Sequence, residues 1–569
     1  MKFIFVVGGV ISGVGKGVAT ASIAKILSEY GFSTTIIKID PYINCDAGTM
    51  RPTEHGEVWV TADGGEIDQD LGNYERFMNR NIPKINNITT GQIYRTVIEN
   101  ERAGKYLGKT VQLIPHIPDE IRRRIKLSGE GYDIALIEVG GTIGDIENIP
   151  YLFAAKGLEK ECGKNSVIYI LVTYLPVPTH IQEAKTKPTQ HAIKLLSENG
   201  ISPDFILCRA KQPLDSVRRQ KIEVYSNLDR HQIISAPDVN NLYEIPLNFE
   251  KEGLGKKLMQ CMELQSRKIP DWEKWKKLLY NLQNPEKTIK IAMIGKYLSI
   301  GDYQLTDSYI SINESLKHAS AKLGVGIKIS WIDSKIFEMN PENVRGLSEY
   351  NGILVPGGFG NSGVEGKITA IKYARENRIP YLGLCYGMQL AVIEYARNMC
   401  NLKNANTTEN DSNTPYPVID ILESQREVMQ QNKYGGTMRL GYYAACLKPD
   451  TQVCRLYHEN GRIELDKNRI NSVEKFRIGN VKGIDNIILE RHRHRYEVNP
   501  KFVPVFESNG IIFSGYHQVS DDNMLMEFME LPEHPFFIAT QSHPEFESRF
   551  ENPAPLFVGF VNAAGLNQT

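Results

Sequence analysis

A glycine-rich loop containing one lysine follows the first apolar run of the chain. The apolar run covers residues 3–7, and the loop extends from Gly8 to Gly17 with Lys16 near its end, before a segment with helical spacing. In such a strand–loop–helix setting, backbone N–H groups wrap a polyphosphate, and the helix dipole and the lysine add positive potential. The pattern predicts a nucleotide phosphate site; a tight turn with an incidental lysine is the alternative.

This loop departs from the strict P-loop pattern GxxxxGK[ST]. Its glycine spacing is one residue longer, and Gly17 stands where a serine or threonine would hold magnesium. Carboxylates elsewhere must then bind the metal. Asp68 and Asp70 lie in one short acidic segment, and Glu138 ends a predicted strand, where ligands of parallel sheets bind. Taken singly, each of these carboxylates is also explained as a solvated surface charge.

A second constellation has the pattern of a nucleophile elbow. An apolar strand leads into Gly383-x-Cys385-x-Gly387 and then into a helix. The sharp turn exposes the central thiol, the helix N-terminus favours the thiolate, and neighbouring N–H groups can form an oxyanion hole. Far along the chain, His543 would accept the thiol proton and Glu545 would orient the imidazole. The combination predicts catalysis by Cys385 rather than an inert core cysteine.

Short apolar runs alternate with helical segments and must position these groups. Residues 3–7, 34–37, 134–137, 167–172 and 205–208 read as buried strands, with helical spacing at 20–30 and 187–198. After a linker with a short helix at 268–287, strands are predicted again at 289–294, 327–332, 352–355 and 380–384. Apolar strands separated by helices indicate parallel sheets covered on both faces. We therefore predict an α/β fold with two doubly wound parallel-sheet domains and a boundary between 266 and 289.

Three segments depart from this alternation. Residues 401–417 are rich in Asn and Thr, which predicts a surface loop. Residues 448–486 carry many charges and few apolar runs, which indicates an insertion at the edge of a domain. The stretch from Arg491 to Arg495 alternates basic side chains, a pattern typical of a strand with a solvated face.

Composition limits the classes of function. The 569 residues are 41% hydrophobic and 23% charged, which excludes disorder, collagen or coiled coil for the whole chain. With 66 basic and 67 acidic residues, the net charge of −1 predicts no general affinity for nucleic acid or membranes. The sequence predicts neither a membrane span nor a signal peptide. Eight cysteines without a CxxC pair favour a reducing compartment, hence a cytoplasmic protein.

Longer runs around these motifs resemble the CTP synthase family over nearly the whole chain. GGFG at 357–360, GLCYGMQ at 383–389 and HPE at 543–545 are similar to a class I glutamine amidotransferase domain. KIDPYIN at 38–44, HGEV at 55–58, DLGNYERF at 70–77, EVGGTIGDIE at 138–147 and KTKPTQ at 185–190 are similar to the family's amidoligase domain. The resemblance implies an amidoligase domain at 1–265, a linker at 266–288 and an amidotransferase domain at 289–569.

The resemblance implies a ligase that makes CTP in the final step of de novo pyrimidine nucleotide synthesis. ATP phosphorylates O4 of UTP, and ammonia, released from glutamine and channelled between the domains, displaces the phosphate at C4. The resemblance further implies Mg²⁺, feedback inhibition by CTP, allosteric activation by GTP, and assembly into a homotetramer and filaments.

The resemblance also carries ligand contacts over to residues of this chain. Lys16 and Lys38 would neutralise the transferred phosphoryl group, and Asp70 and Glu138 would hold Mg²⁺. The ATP contacts are Gly13, Val14, Gly15, Lys16, Gly17, Asp70, Pro237, Asp238 and Val239. The UTP and CTP contacts are Ser12, Asp145, Ile146, Glu147, Lys185, Thr186, Lys187, Pro188, Thr189, Gln190 and Lys221. The glutamine contacts are Gly358, Tyr386, Gly387, Met388, Gln389, Glu409 for the ammonium and Arg495 for the carboxylate.

Three stretches depart from the family pattern. The lid reads Asn361-Ser362-Gly363, without the usual arginine, which puts activation by GTP in doubt. Residues 178–184 lack the usual serine or threonine followed by glycine, so we expect the UTP base pocket to differ in detail. Residues 448–486 are longer than the common form, and their composition does not say why.

Two other functions remain open on the sequence alone. A different ATP-dependent amidotransferase ligase would share both constellations, although KTKPTQ at 185–190 argues against it. A structural polymer subunit without catalysis would have no need of Cys385, His543, Lys16, Asp70 and Glu138, all of which are present.

Overall fold

The computed structural model describes residues 1–50, 56–180, 183–295, 299–300, 303–304, 309–422, 425, 437–481, 483–520 and 523–567. The chain divides into two compact units. The first contains Met1–Ala47 and Asp70–Glu273, and the second contains Gly48–Gln69 and Lys274–Thr569. The short segment 48–69 therefore belongs with the C-terminal unit, although the chain on both sides of it belongs with the N-terminal one.

The strands up to residue 237 are β1 (Lys2–Gly8), β2 (Thr34–Asp40), β3 (Val58–Val60), β4 (Glu66–Asp68), β5 (Asn87–Thr89), β6 (Ile134–Val139), β7 (Val167–Tyr174), β8 (Phe205–Ala210) and β9 (Ile233–Pro237). The later strands are β10 (Lys287–Gly295), β11 (Ser299–Ile300), β12 (Tyr303–Gln304), β13 (Val325–Asp333), β14 (Gly352–Val355), β15 (Tyr381–Leu384), β16 (Ala405–Thr407), β17 (Tyr416–Ile421), β18 (Arg439–Leu447), β19 (Ile487–His494), β20 (Tyr496–Val498), β21 (Ile512–Ser520), β22 (Asn523–Glu530) and β23 (Phe537–Thr540).

The α-helices up to residue 283 are α1 (Lys16–Glu29), α2 (Asp70–Met78), α3 (Thr90–Arg102), α4 (Leu113–Gly129), α5 (Ile149–Cys162), α6 (Lys187–Glu198), α7 (Ser216–Ser226), α8 (Ile245–Lys251), α9 (Leu254–Cys261) and α10 (Glu273–Gln283). The later helices are α11 (Ile310–Leu323), α12 (Lys335–Met339), α13 (Val364–Glu376), α14 (Tyr386–Asn398), α15 (Gln452–Glu459), α16 (Arg462–Arg469), α17 (Lys475–Ile478), α18 (Val503–Ser508) and α19 (Pro555–Leu566). Among the described residues, no helix is both long and apolar enough to cross a bilayer.

The first unit is built on a seven-stranded parallel sheet in the order β5-β2-β6-β1-β7-β8-β9. Its strands are almost entirely buried, because crossover helices cover both faces of a parallel sheet. All carboxyl ends of the strands therefore meet at one edge. Lys38 and Glu138, partners in the β2–β6 register, lie near this edge, which positions them beside the loop that follows β1.

The second unit contains a nine-stranded mixed sheet in the order β13-β10-β14-β15-β23-β22-β21-β18-β19. The first five strands are parallel, as expected, whereas those from β22 to β19 are antiparallel to their neighbours. Antiparallel neighbours do not need the helical crossover connections that parallel strands require, so a pattern of alternating strands and helices does not indicate this half of the sheet.

Two local predictions need correction. The Asn-rich segment 401–417 is not all loop, since it contains β16 and the start of β17, which pair with each other. The insertion at 448–486 stays a prediction, and its described residues contain helices α15 to α17. The basic stretch is a strand, but its predicted solvated face is wrong: Arg491, His492 and His494 are buried. Acidic partners distant in the sequence, such as Glu547 beside Arg491, lower the free-energy cost of burying these side chains.

Candidate active sites

The phosphate loop of the first unit has the predicted setting between β1 and α1. Gly15 has a φ of 81°, a left-handed conformation that favours glycine, and α1 begins at Lys16. The Lys16 ammonium donates to the carbonyl of Gly141, in the loop after β6, at 2.6 Å. Burial lowers the pKa of Lys16, and the charges of Glu138 and Asp70 oppose that change. The side chain of Lys16 therefore lies at the edge of the sheet where the parallel strands have their carboxyl ends.

Three carboxylates converge on the ammonium of Lys38. It forms an ion pair with Asp70, and its Nζ lies 3.2 Å from Glu138 Oε1 and 3.7 Å from Asp40 Oδ1. Burial alone would lower the pKa of Lys38, but these carboxylates raise it well above its ordinary value. Burial raises the pKa of Glu138, which also accepts a hydrogen bond from the Tyr74 hydroxyl. Sequence reasoning missed Asp40 and Tyr74.

The absent side chain of Gly17 explains the departure from the P-loop pattern. A Cβ at this position would lie 2.8 Å from Asp70 Oδ1 and 3.5 Å from Glu138 Oε2. The space that a P-loop serine would fill is therefore lined by two carboxylates. No group of three or more His, Cys, Asp or Glu side chains in the described ranges could hold a metal alone. Proteins commonly bind Mg²⁺ through one or two carboxylates together with the phosphates of a nucleotide, and Asp70 and Glu138 fit this pattern. Asp68, the other candidate, lies in β4 of the second unit.

A small pocket lies at the carboxyl ends of β8 and β9. Its lining includes Gly15, Arg209, Pro237 and Phe249. The Arg209 guanidinium donates to the carbonyl of Val14 at 3.2 Å and to Asp238 Oδ1 at 2.6 Å. Two of the predicted ATP contacts, Gly15 and Pro237, thus lie in one pocket. Sequence reasoning missed Arg209, although its position near the end of a parallel strand is a usable signal.

The predicted UTP and CTP contacts are only partly brought together. The charge of Asp145 partly opposes the burial that lowers the pKa of Lys16, and Asp145 accepts a hydrogen bond from Thr142 Oγ1 at 2.8 Å. Ser12, Ile146, Glu147, Lys187 and Lys221 are exposed, and Lys185 forms an ion pair with Glu183 at 3.0 Å.

Thr189 differs from these exposed contacts because it is fully buried. Its hydroxyl is hydrogen-bonded to that of Thr173 at 2.9 Å, so its side chain serves packing. His55, which belongs to the run HGEV at 55–58 that resembles the family, lies outside the described residues.

In the second unit, Cys385 occupies the predicted elbow between β15 and α14. It has a φ of 49° and a ψ of −100°, a strained conformation for a residue with a side chain. Its N–H donates to the carbonyl of Thr540 on β23 at 2.7 Å. A Cβ on Gly387 would lie only 2.3 Å from the carbonyl oxygen of Val355, so the close helix–strand approach requires glycine there. The thiol therefore lies at the start of α14.

Cys385, His543 and Glu545 form a connected triad. His543 is hydrogen-bonded to Cys385, and its Nδ1 lies 2.7 Å from Glu545 Oε1. Burial alone would lower the pKa of His543, but Glu545 and Cys385 raise it to about 10. Sequence reasoning missed two neighbours: Gln541 Nε2 donates to the Cys385 sulfur at 3.6 Å, and the Phe546 ring stacks on His543 at 5.2 Å between centroids. Both lie within three residues of His543, which is the signal that could have found them.

Several of the predicted glutamine contacts are hydrogen-bonded to their neighbours on α14 or on nearby loops. Glu409 Oε1 accepts from the Gly360 N–H at 3.0 Å, and the Tyr386 hydroxyl donates to the Gly360 carbonyl at 3.4 Å. Gln389 donates to the Tyr496 carbonyl at 2.8 Å, next to Arg495.

The other predicted members of this set differ in exposure. Arg495 donates to Thr437 Oγ1 at 3.0 Å. Gly358 is half-buried in the loop after β14, and Met388 is fully buried, so its side chain belongs to the core.

Comparisons with known proteins agree with this arrangement. Residues 2–264 match the family model for the CTP synthase N-terminus, and residues 304–563 match the model for class I glutamine amidotransferases. The CTP synthase of Thermococcus gammatolerans is 48% identical over 563 residues, covering 99% of this chain and 98% of its relative. That of Methanocaldococcus jannaschii is 49% identical over 569 residues with the same coverage.

A similarity to a solved structure was also found. The glutaminase domain of Trypanosoma brucei CTPS with bound acivicin is 33% identical, with a TM-score of 0.41, and covers 49% of this chain and 95% of that domain. On the two family models and the full-length relatives, the chain belongs to the CTP synthase family.

Proposed function

We infer that this chain makes CTP by amination of UTP, with ATP and glutamine as co-substrates. The observation that carries the proposal is the presence of two chemically distinct centres: the Cys385–His543–Glu545 triad and the Lys38–Asp70–Glu138 cluster. We assign residues 1–265 to the amidoligase domain, 266–288 to the linker and 289–569 to the amidotransferase domain. Ammonia released at the first centre is used at the second.

At the amidoligase centre, the proposed reaction is transfer of the ATP γ-phosphoryl group to O4 of UTP. Asp70 and Glu138 would hold Mg²⁺, which neutralises charge on the ATP phosphates when it is bound. Lys16 and Lys38 are directed to the same edge of the sheet and stabilise negative charge on the phosphoryl group during transfer. Phosphorylation converts O4 into a good leaving group, which ammonia then displaces at C4.

At the glutaminase centre, the thiolate of Cys385 attacks the side-chain amide carbon of glutamine, and His543 protonates the departing ammonia. Water then hydrolyses the thioester to glutamate. Glu545 holds the imidazole through the 2.7 Å contact at Nδ1. Backbone N–H groups at the start of α14 would stabilise the developing oxyanion. Arg495 would bind the substrate carboxylate and Glu409 its ammonium group.

The regulatory ligands and the assembly are part of the same proposal. CTP shares the triphosphate of UTP, so both would be attracted by the positive charges of Lys185, Lys187 and Lys221, and CTP would inhibit in competition with UTP. GTP would bind near the lid at Ser362 and activate glutamine hydrolysis weakly. We further propose a cytoplasmic homotetramer.

A coupled assay tests the proposed function. CTP formation is followed by absorbance with UTP, ATP and Mg²⁺, with either glutamine or ammonia as the nitrogen donor. We expect CTP from both donors and none when UTP, ATP or Mg²⁺ is omitted. Amination of another acid or nucleotide in place of UTP would contradict the proposal, as would a protein without synthetic activity from either donor.

A further inference from the structure

A hairpin from the N-terminal part of the sequence is built into the second unit. It consists of β3, β4 and the turn 61–65, and we call it the Trp59 hairpin. Val58 pairs with Asp68 and Val60 with Glu66. Its strands are buried, and the Glu66 carboxylate lies 2.9 Å from Arg493 Nε on β19. The hairpin is therefore an integral part of the unit that contains the triad.

The hairpin contacts the triad through a column of aromatic rings. Trp59 is completely buried, and its ring meets that of Phe546 edge-on at 5.0 Å between centroids. Phe546 also contacts the His543 imidazole, which stacks on it with an interplanar angle of 20°. Because aromatic rings pack with defined geometry, a displacement of Trp59 would be transmitted to the plane of His543.

A buried ionic network fixes the strand that carries Trp59. Arg491 Nη1 donates to the carbonyl of Val60 at 2.8 Å, and Arg491 Nε lies 2.6 Å from Glu547 Oε1. Glu547 is two residues beyond the triad member Glu545. Burial would raise the pKa of Glu547, but the surrounding guanidinium groups hold it well below its ordinary value. The carboxylate is therefore charged, and it ties the backbone of the hairpin to that of the triad loop.

Two arginines of the insertion at 448–486 complete this network. Arg462 on α16 donates to Glu547 Oε2 at 3.1 Å and to Asp466 Oδ2 at 2.8 Å, and it is almost fully buried. Arg469 lies 3.5 Å from the same Glu547 oxygen. A buried carboxylate deprived of such partners would carry an uncompensated charge.

A third arginine of the insertion binds the tip of the hairpin. Arg477 on α17 donates to the carbonyls of Ala62 at 3.4 Å, Asp63 at 3.3 Å and Leu440 at 2.8 Å. It lies so close to the turn that a Cβ on Gly64 would be 2.9 Å from Arg477 Nη2. The planar guanidinium is suited to several carbonyls at once, which a lysine could satisfy only in part.

We propose that the insertion at 448–486 is a brace that holds the Trp59 hairpin against Phe546, and that Arg477 and Trp59 are positioning residues for His543. The inference rests on the proposed glutaminase role of the triad. Neither residue touches the reacting atoms; each acts through the packing of the ring beneath the imidazole.

Arg477→Met tests the proposal, with Lys475→Met as the matched control. Lys475 is exposed on the same short helix, so its loss removes one positive charge without touching the hairpin. We expect the glutaminase kcat of Arg477→Met to fall about ten- to a hundredfold, a size typical of a misplaced catalytic group. Because Arg495 and Glu409 are unaffected, the KM for glutamine should stay within about twofold of wild type. Arg477→Lys should recover part of the kcat. Trp59→Leu should also lower the kcat while leaving the KM for glutamine nearly unchanged.

Two further readouts separate positioning from loss of fold. Ammonia-dependent CTP formation should be the same in Arg477→Met, Lys475→Met and wild type. Amide hydrogen exchange at residues 58–68 should be faster in Arg477→Met than in Lys475→Met, a result that does not depend on activity. The proposal that the insertion holds the hairpin in place would be wrong if the kcat or the exchange rate were unchanged. It would also be wrong if glutamine- and ammonia-dependent synthesis were lost equally. Wild-type glutamine hydrolysis, measured in the same series, checks the proposed function separately.

Discussion

The Cβ that Gly17 lacks would lie 2.8 Å from Oδ1 of Asp70. Real Cβ atoms do not approach a carboxylate oxygen so closely, so a side chain at residue 17 would require the Asp70 carboxylate to move from its present position. The same Cβ would lie 3.5 Å from Glu138 Oε2. The position of the P-loop hydroxyl is thus bordered by two carboxylates, and a serine side chain at residue 17 would require them to move.

Gly17→Ser should therefore inactivate the amidoligase centre even though it restores the P-loop consensus. We expect CTP formation from either nitrogen donor to fall by at least about a hundredfold, because the phosphoryl-transfer site depends on positioned charges. Glutamine hydrolysis without nucleotides should persist, which controls for folding. Synthesis equal to that of wild type would mean that Asp70 is not needed where the structure places it.

Cys385→Ala should separate the two centres in the opposite direction. The thiolate is needed only to release ammonia, so glutamine-dependent CTP formation should fall at least about a thousandfold, as expected when a nucleophile is removed. Ammonia-dependent CTP formation should remain close to that of wild type. If both activities fell equally in a folded variant, as judged by circular dichroism, the assignment of two separate centres would be wrong.

The interaction of His543 with Glu545 should make stability depend on pH. Glu545 and Cys385 raise the pKa of His543 from 6.5 to about 10, so the folded state holds this proton more tightly than the unfolded chain. The resulting stabilisation is complete below about pH 6.5 and is lost as the pH rises through about 10. Glu545→Gln should consequently lower the free energy of unfolding more at pH 6 than at pH 10.5.

Urea unfolding of wild type and Glu545→Gln at several pH values measures this difference. The same substitution in a His543→Ala background is the control, because without the imidazole the difference should no longer depend on pH. An effect of Glu545→Gln that is equal at pH 6 and pH 10.5 would show that the raised pKa of His543 does not depend on Glu545.

The local parts of both sites could be predicted from the sequence. The turn around Cys385 and the loop before Lys16 each depend on neighbours within a few residues, because glycines and an adjoining helix determine the geometry. Glu138 could be proposed because parallel strands bring their carboxyl ends to one edge, and His543 and Glu545 because a His-x-Glu pattern follows downstream of the cysteine. The expectation that Asp70 and Glu138 lie near Gly17 follows from that rule, together with the family resemblance.

The buried basic strand could not be predicted in the same way. An alternating pattern such as Arg491-His492-Arg493 is compatible with solvent or with a core that supplies counter-charges, and the neighbouring Glu490 and Glu497 do not decide between the two. The partners are Glu66, more than 400 residues earlier, and Glu547, which follows the triad. Long-range charge pairing of this kind reverses the burial expected from local composition.

The last prediction concerns Ser362, which stands in the lid where the family usually has an arginine. Ser362 is exposed just before α13. A serine offers one short hydroxyl, whereas an arginine offers a charged planar fork suited to a phosphate or a guanine edge. Lys367 cannot compensate, because its side chain is almost fully buried with the ammonium 5.7 Å from the centre of the Tyr386 ring.

We therefore expect GTP to activate this enzyme weakly or only at high concentration, and Ser362→Arg to strengthen the activation. A charge-assisted contact is worth about 1.5–3 kcal/mol, so the half-activating GTP concentration should fall roughly ten- to a hundredfold. Glutamine-dependent CTP formation is titrated with GTP for wild type, Ser362→Arg and Ser362→Lys. The lysine variant should gain less than the arginine variant, since it supplies the charge without the fork. Equal half-activating concentrations in all three proteins would show that the residue at position 362 does not determine the response to GTP.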